Sequence, residues 1–144
     1  MSSAVDTNKL RTRIAQRTYI HDPADATIAA KIAWVPLSTY ENFMVTATLV
    51  SGTGILTFKI FAAEDSSGTN PVEVKAHATP TVADAQGDQL VLECSAAELP
   101  PLAANLTHVS AELDCDVNTD IVAVTYTRAI PRYATDGLTD DVIS

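Results

Sequence analysis

Residues 43–62 read FMVTATLVSGTGILTFKIFA. Phe43, Val45, Ala47 and Leu49 alternate with Met44, Thr46, Thr48 and Val50, which is the period of a half-buried strand. After Ser51-Gly52-Thr53-Gly54 the alternation resumes. Leu56, Phe58, Ile60 and Ala62 stand on one face, with Thr57 and Lys59 on the other. Two alternating runs around a Gly-containing loop are a hairpin signal, so these residues are expected to pair as neighbouring strands.

The same period recurs along the chain. Val72, Val74 and Ala76 alternate with Glu73, Lys75 and His77, after a polar turn at 64–71 whose Gly, Asn and Pro suit turn geometry. Leu90, Leu92 and Cys94 oppose Gln89, Val91 and Glu93. Val109, Ala111, Leu113 and Cys115 oppose His108, Ser110, Glu112 and Asp114. In the run 121–130, Val122, Val124 and Tyr126 face away from Ala123, Thr125 and Thr127, and Pro131 should end it. Ile28, Ala30, Ile32 and Trp34 favour a first strand over residues 26–36, although the alanines leave a helix open. Ser95-Ala96-Ala97-Glu98 has capping-box spacing, and Pro100-Pro101 limits that segment to about one turn.

At least six strands with little helix predict an all-β protein, an antiparallel β-sandwich of immunoglobulin-like or jelly-roll-like type. Its extent is read as 26–132, with an N-terminal arm over 1–25 and a C-terminal tail over 133–144. Segments outside a core wave in solvent or dock on a neighbour.

The 144 residues amount to one domain, with an apolar share of 47% that excludes a disordered chain. Nothing spans 18 apolar residues, so no membrane contact is expected, and the first twenty residues lack the apolar stretch of a signal peptide. The net charge of −9 disfavours nucleic acid, whose affinity comes largely from paired phosphates. That charge is uneven. Up to Lys31, five bases meet three acids, for +2; beyond it, four bases meet fifteen acids, for −11. A basic arm on an acidic body suits attachment to an acidic neighbour, and another copy of the chain qualifies. Lys9, Arg11, Arg13, Arg17, Arg128, Arg132 and Tyr133 are the candidate interface residues.

Chemistry-bearing patterns are sparse. Asp114, Asp116, Asn118 and Asp120 stand at alternate positions like the opening of a calcium loop. Thr119 then replaces the expected Gly and Thr125 the expected Glu, which favours a polar hairpin turn. Cys94 and Cys115 fall on apolar faces by phase and read as buried free thiols. His21, His77 and His108 pair with neither cysteine by sequence. Gly52-Thr53-Gly54 lacks the third glycine of a dinucleotide loop. Asn105-Leu106-Thr107 has the form of a glycosylation site but no secretory context. Trp34 reads as a core residue, with a sugar-stacking platform as the competing role. No catalytic residue, cofactor or metal site is expected, and the chain is read as a non-enzyme.

From Tyr40 to Ser144 the chain resembles a family of small tailed-bacteriophage virion proteins. The resemblance rests on FMVTATLVSGTGILTFKIFAAEDSSGTNPVEVKAH, GDQLVLEC, THVSAEL and VAVTYTRAIPRYATDGL. It implies a virion structural protein assembled in the host cytoplasm. A capsid decoration or stabilisation role follows, with the major capsid protein, other virion proteins and further copies of itself as partners. The alternatives are a neck, tail or fibre component, or a carbohydrate-binding or adhesion module.

Overall fold

A computed structural model describes residues 14–21, 30–37, 39–77, 83–115 and 119–131. Nine strands are assigned there: β1 (Ile14–His21), β2 (Ala30–Lys31), β3 (Val35–Pro36), β4 (Tyr40–Ser51), β5 (Ile55–Ala63), β6 (Val72–Ala76), β7 (Gln89–Ser95), β8 (His108–Cys115) and β9 (Ile121–Pro131). They form two antiparallel sheets. One has the order β1-β9-β4-β7; the other has β2-β8-β5-β6, with β3 also on β8. The protein is an all-β sandwich, as the alternation predicts.

The pairing pattern has a simple origin. β1 pairs β9, β2 and β3 pair β8, β4 pairs β7, and β5 pairs β6. That is one long antiparallel hairpin with its tip between β5 and β6. Rolling it up creates the two remaining contacts, β4 with β9 and β5 with β8. With β2 and β3 taken as one interrupted strand, eight strands in this order make a jelly roll rather than an immunoglobulin sandwich.

The roll overturns two of the expected turns. β4 and β5 are not a hairpin, because they are central strands of different sheets. β8 and β9 are likewise split between sheets, so they do not form the expected hairpin. The two crossings sit together. Asp120 is buried, and its carboxylate accepts the amide N–H of Thr53 at 2.7 Å and of Gly54 at 3.3 Å. Gly52 bends there with φ +126°, and a Cβ on it would run into Asp120.

Inward positions follow the predicted phase in β4, β7, β8 and β9. Phe43, Val45, Ala47, Leu49, Leu90, Leu92, Cys94, Val109, Ala111, Leu113, Cys115, Val122, Val124 and Tyr126 are all buried. β5 departs from it. Its register on β8 shifts between Ile55 and Thr57, and this bulge turns Leu56 outward at 44% exposure while Ile55 goes in. The predicted one-turn helix is a 3₁₀ turn at Ala96–Glu98, where the Ser95 N–H donates to Glu98 Oε2 at 2.6 Å.

Of the segment read as an N-terminal arm, residues 14–21 form β1, aligned with β9 from Ile14↔Ala129 to His21↔Val122. Sequence alternation there is weak because the strand lies at a sheet edge. Residues 1–13, 22–29 and the tail from 132 lie outside the described residues.

Tyr126 ties the layers together. Between Lys31↔Glu112 and Val35↔Val109, residues 32–34 face only residues 110 and 111, which is a one-residue bulge. The Tyr126 hydroxyl, coming from the other sheet, fills it. It accepts the Ala111 N–H at 2.8 Å and donates to the Ala33 carbonyl at 2.9 Å. Its ring meets Phe43 edge-on at 5.1 Å and Tyr19 at 5.0 Å. Burial pushes the phenol up to about 12.

Tyr126→Phe keeps the ring and strands the Ala111 N–H and Ala33 carbonyl, so a loss of about 1–3 kcal/mol is expected in urea unfolding, with the m-value unchanged. The phenol's pKa is raised on folding. Its contribution is therefore present below about pH 10 and lost as pH rises from about 10 to about 12, a decline that Tyr126→Phe should abolish. Gly52→Ala should cost more than about 1 kcal/mol, because positive φ and the overlap with Asp120 both oppose a side chain.

Candidate interaction surface

The four-stranded sheet is a regular grid. Its strands align in seven complete rows, from Ile14–Ala129–Asn42–Ser95 to Ile20–Ala123–Thr48–Gln89. Alternate rows face the core. The other four rows face outward and hold sixteen side chains: Ile14, Ala129, Asn42 and Ser95; Gln16, Thr127, Met44 and Glu93; Thr18, Thr125, Thr46 and Val91; Ile20, Ala123, Thr48 and Gln89.

Only Glu93 among the sixteen is charged. Threonines and glutamines hydrogen-bond across the strands. Thr18 meets Thr125 at 2.9 Å, Gln16 donates to Thr127 at 3.2 Å, and Gln89 donates to Thr48 at 3.1 Å. These bonds tie outward side chains of neighbouring strands to one another. Three of the six exposed large apolar side chains among the described residues, Ile14, Ile20 and Val91, belong to the face. The opposite sheet carries its charges outward, as in the Lys59–Glu73 pair at 3.2 Å. In a chain of net charge −9, a broad face with one carboxylate is a surface that another acidic molecule can approach with little repulsion.

At one end of this face lies a groove of about 510 Å³, with Asn42, Met44, Glu93 and Thr127 on one side and Lys75 and Glu98 on the other. Lys75 pairs with Glu98 at 3.2 Å. The Ser95 N–H, then Lys75, hold the Glu98 carboxyl below its ordinary range. Its stabilising contacts are thus kept above the ordinary glutamate pKa and lost on acidification through the lowered one.

The basic candidates separate. Lys9, Arg11, Arg13, Arg132 and Tyr133 lie outside the described residues. Arg17 is exposed on β1, its guanidinium 5.3 Å from the Tyr19 ring centre. Arg128 turns inward at the end of the sandwich, donating to the Pro36 carbonyl at 2.9 Å and covering the Tyr40 ring at 5.1 Å. It fastens β9 to β3, one pleat along from Tyr126. The sixteen-residue face went unread from sequence, although its signal was there: Met44-Thr46-Thr48 and Ala123-Thr125-Thr127 are wet-face positions without charge.

The other sequence patterns resolve into structure. Asp120 of the calcium-like stretch binds loop amides, Asp116 and Asn118 lie outside the described residues, and among the described residues no three acidic, His or Cys side chains cluster as a metal set. Both cysteines are buried, and burial pushes each thiol up to about 12. Trp34 is half-buried, and a Cβ on Gly68 would meet its indole, so the ring lies against the β5–β6 turn. Tyr19, Tyr40 and Tyr126 are engaged elsewhere and do not join it in an exposed aromatic platform.

No family model and no curated protein sequence matches the chain. Solved structures do. The infectious bursal disease virus VP2 subviral particle matches with TM-score 0.50 and 11% identity, over 88% of this chain and 34% of that one, so the chain spans about a third of VP2. The acidic stable capsid of Helicobacter pylori bacteriophage KHP30 matches at 0.49 and 11%, covering 83% and 89%. The SPBc2 prophage-derived protein YomS matches at 0.44 and 12%, covering 81% and 95%. At these identities the likeness is one of fold.

Neither Cys94 nor Cys115 should react with iodoacetamide in the folded protein near about pH 8, and both should react once guanidinium chloride unfolds it. Mass spectrometry of the alkylated chain reads this directly.

Proposed function

We propose that the chain is a non-enzymatic structural protein of a bacteriophage virion, placed on the outside of the head as a decoration or stabilisation protein. Its partners on this reading are the major capsid protein and neighbouring copies of itself. The observation that carries it is the outer face of the four-stranded sheet, sixteen positions with one charge on a chain of −9. A broad face with a single charge suits packing against another protein, since interface cores are depleted of charged residues.

The jelly roll supports the same reading, since it is the fold matched in the bursal disease virus VP2 subviral particle. The acidic surface supports an exterior place, because packaged DNA would repel it. A neck, tail or fibre position is the second reading. A carbohydrate-binding role is the weaker one, because Trp34 and the described tyrosines do not form a shared platform.

Quantitative gels and antibody labelling of purified particles test the proposal. Many copies spread over the head surface are expected. A small fixed copy number at the neck or tail would transfer the reading to those parts, and absence from purified particles would end it. Thr46→Glu should sharply reduce particle binding while costing less than about 1 kcal/mol of stability, since that side chain points outward and makes none of the cross-strand bonds named above.

A further inference from the structure

The two edges of the four-stranded sheet complement each other. β1 and β7 end the order β1-β9-β4-β7, so each has one side that no described strand pairs. Such an edge offers a row of backbone donors and acceptors to another chain. Every neighbouring pair in the sheet is antiparallel, and four is even, so β1 and β7 run in opposite directions. A second copy displaced sideways, without rotation, therefore brings its β1 antiparallel beside the first copy's β7. That continues the existing ladder.

Span and phase agree as well. Residues 14–20 of β1 and 89–95 of β7 cover the same seven rows. Continuing the rows sets Val91 opposite Thr18 of the next copy, Glu93 opposite its Gln16, and Gln89 opposite its Ile20. Outward side chains stay outward, so the face extends unbroken from copy to copy. Ile14, Ile20 and Val91, which are 36%, 65% and 47% exposed, all lie on these two edges and would gain cover.

Charge selects the partner edge. Strand β1 carries Arg17 and no carboxylate. Residues 88–98 carry Asp88, Glu93 and Glu98 and no Lys or Arg, although Lys75 already shares Glu98 at 3.2 Å. A β1-to-β1 contact would oppose arginines and a β7-to-β7 contact would oppose carboxylates. Only β1 against β7 joins unlike signs.

We propose that the chain assembles head to tail, with β1 of one copy adding to the β7 edge of the next to form a continuous antiparallel sheet. Such a heterologous contact closes into a ring or runs on as a filament, according to the rotation between copies. The proposal stands independently of the virion reading and is tested on the purified full-length chain.

The variant pairing Thr18→Cys with Val91→Cys places two outward thiols across the new ladder, at the Cα separation a disulfide needs. The native thiols are buried, with their pKa values pushed up to about 12, and do not compete. At roughly 1 mM protein, a concentration that populates weak contacts, mild oxidation should give a ladder of covalent dimers, trimers and larger species. Each single variant should stay monomeric. Replacing Arg17 by Glu in the double-cysteine chain should reduce the ladder at least ~3-fold at low salt, and adding Glu93→Lys should restore it. No ladder from a double variant that melts like the parent overturns the proposal. So does dimer formation by Thr18→Cys alone, which would mean β1 against β1.

Discussion

The hydroxyl of Tyr126 is the contact on which the two layers depend. The bulge at residues 32–34 breaks the edge strand of the second sheet and leaves the Ala111 N–H without a strand partner. A buried amide in that state costs as much as a lost hydrogen bond. Tyr126 answers from the opposite sheet and donates onward to Ala33, so one oxygen completes the ladder and joins the layers. Ser110, buried beside it, donates to the Ile32 carbonyl at 2.8 Å and fixes the same segment. Two residues on, Arg128 reaches Pro36. One strand, β9, thus holds the interrupted edge with two side chains.

The crossings between layers use a different device. A jelly roll needs the chain to leave one sheet and enter the other at β4–β5 and again at β8–β9. Here the two crossings lock onto each other through Asp120, whose buried carboxylate is satisfied by loop amides. Gly52 is required because that carboxylate occupies the space a side chain would take. The acid that resembles a cation ligand in sequence is a latch in the fold.

The same folding segregates charge. Rolling the hairpin brings the wet sides of β1, β9, β4 and β7, with Glu93 their one charge, onto one face and sends the Lys59–Glu73 pair of β5 and β6 to the other layer. It also leaves β1, with Arg17, and β7, with Glu93, at opposite edges of a single sheet. A face and two complementary edges suit packing beside other proteins, which is the basis of the proposed role.

The sequence by itself determined strand content and most of the core. Alternation placed Phe43 through Leu49, Leu90 through Cys94, Val109 through Cys115 and Val122 through Tyr126 inward, because a period of two is a local property of extended chain beside a hydrophobic layer. It missed β1, whose edge position imposes little alternation, and it misplaced Leu56, where one extra residue inverts the phase. Only the tertiary structure decided which strands pair. The SGTG loop suits a hairpin and a sheet-to-sheet crossing alike, and the choice rests on Asp120, 66 residues from Gly54. The interaction face was decided there too, since its rows join residues as distant as Thr18 and Thr125, and no local pattern records which uncharged side chains will share a plane.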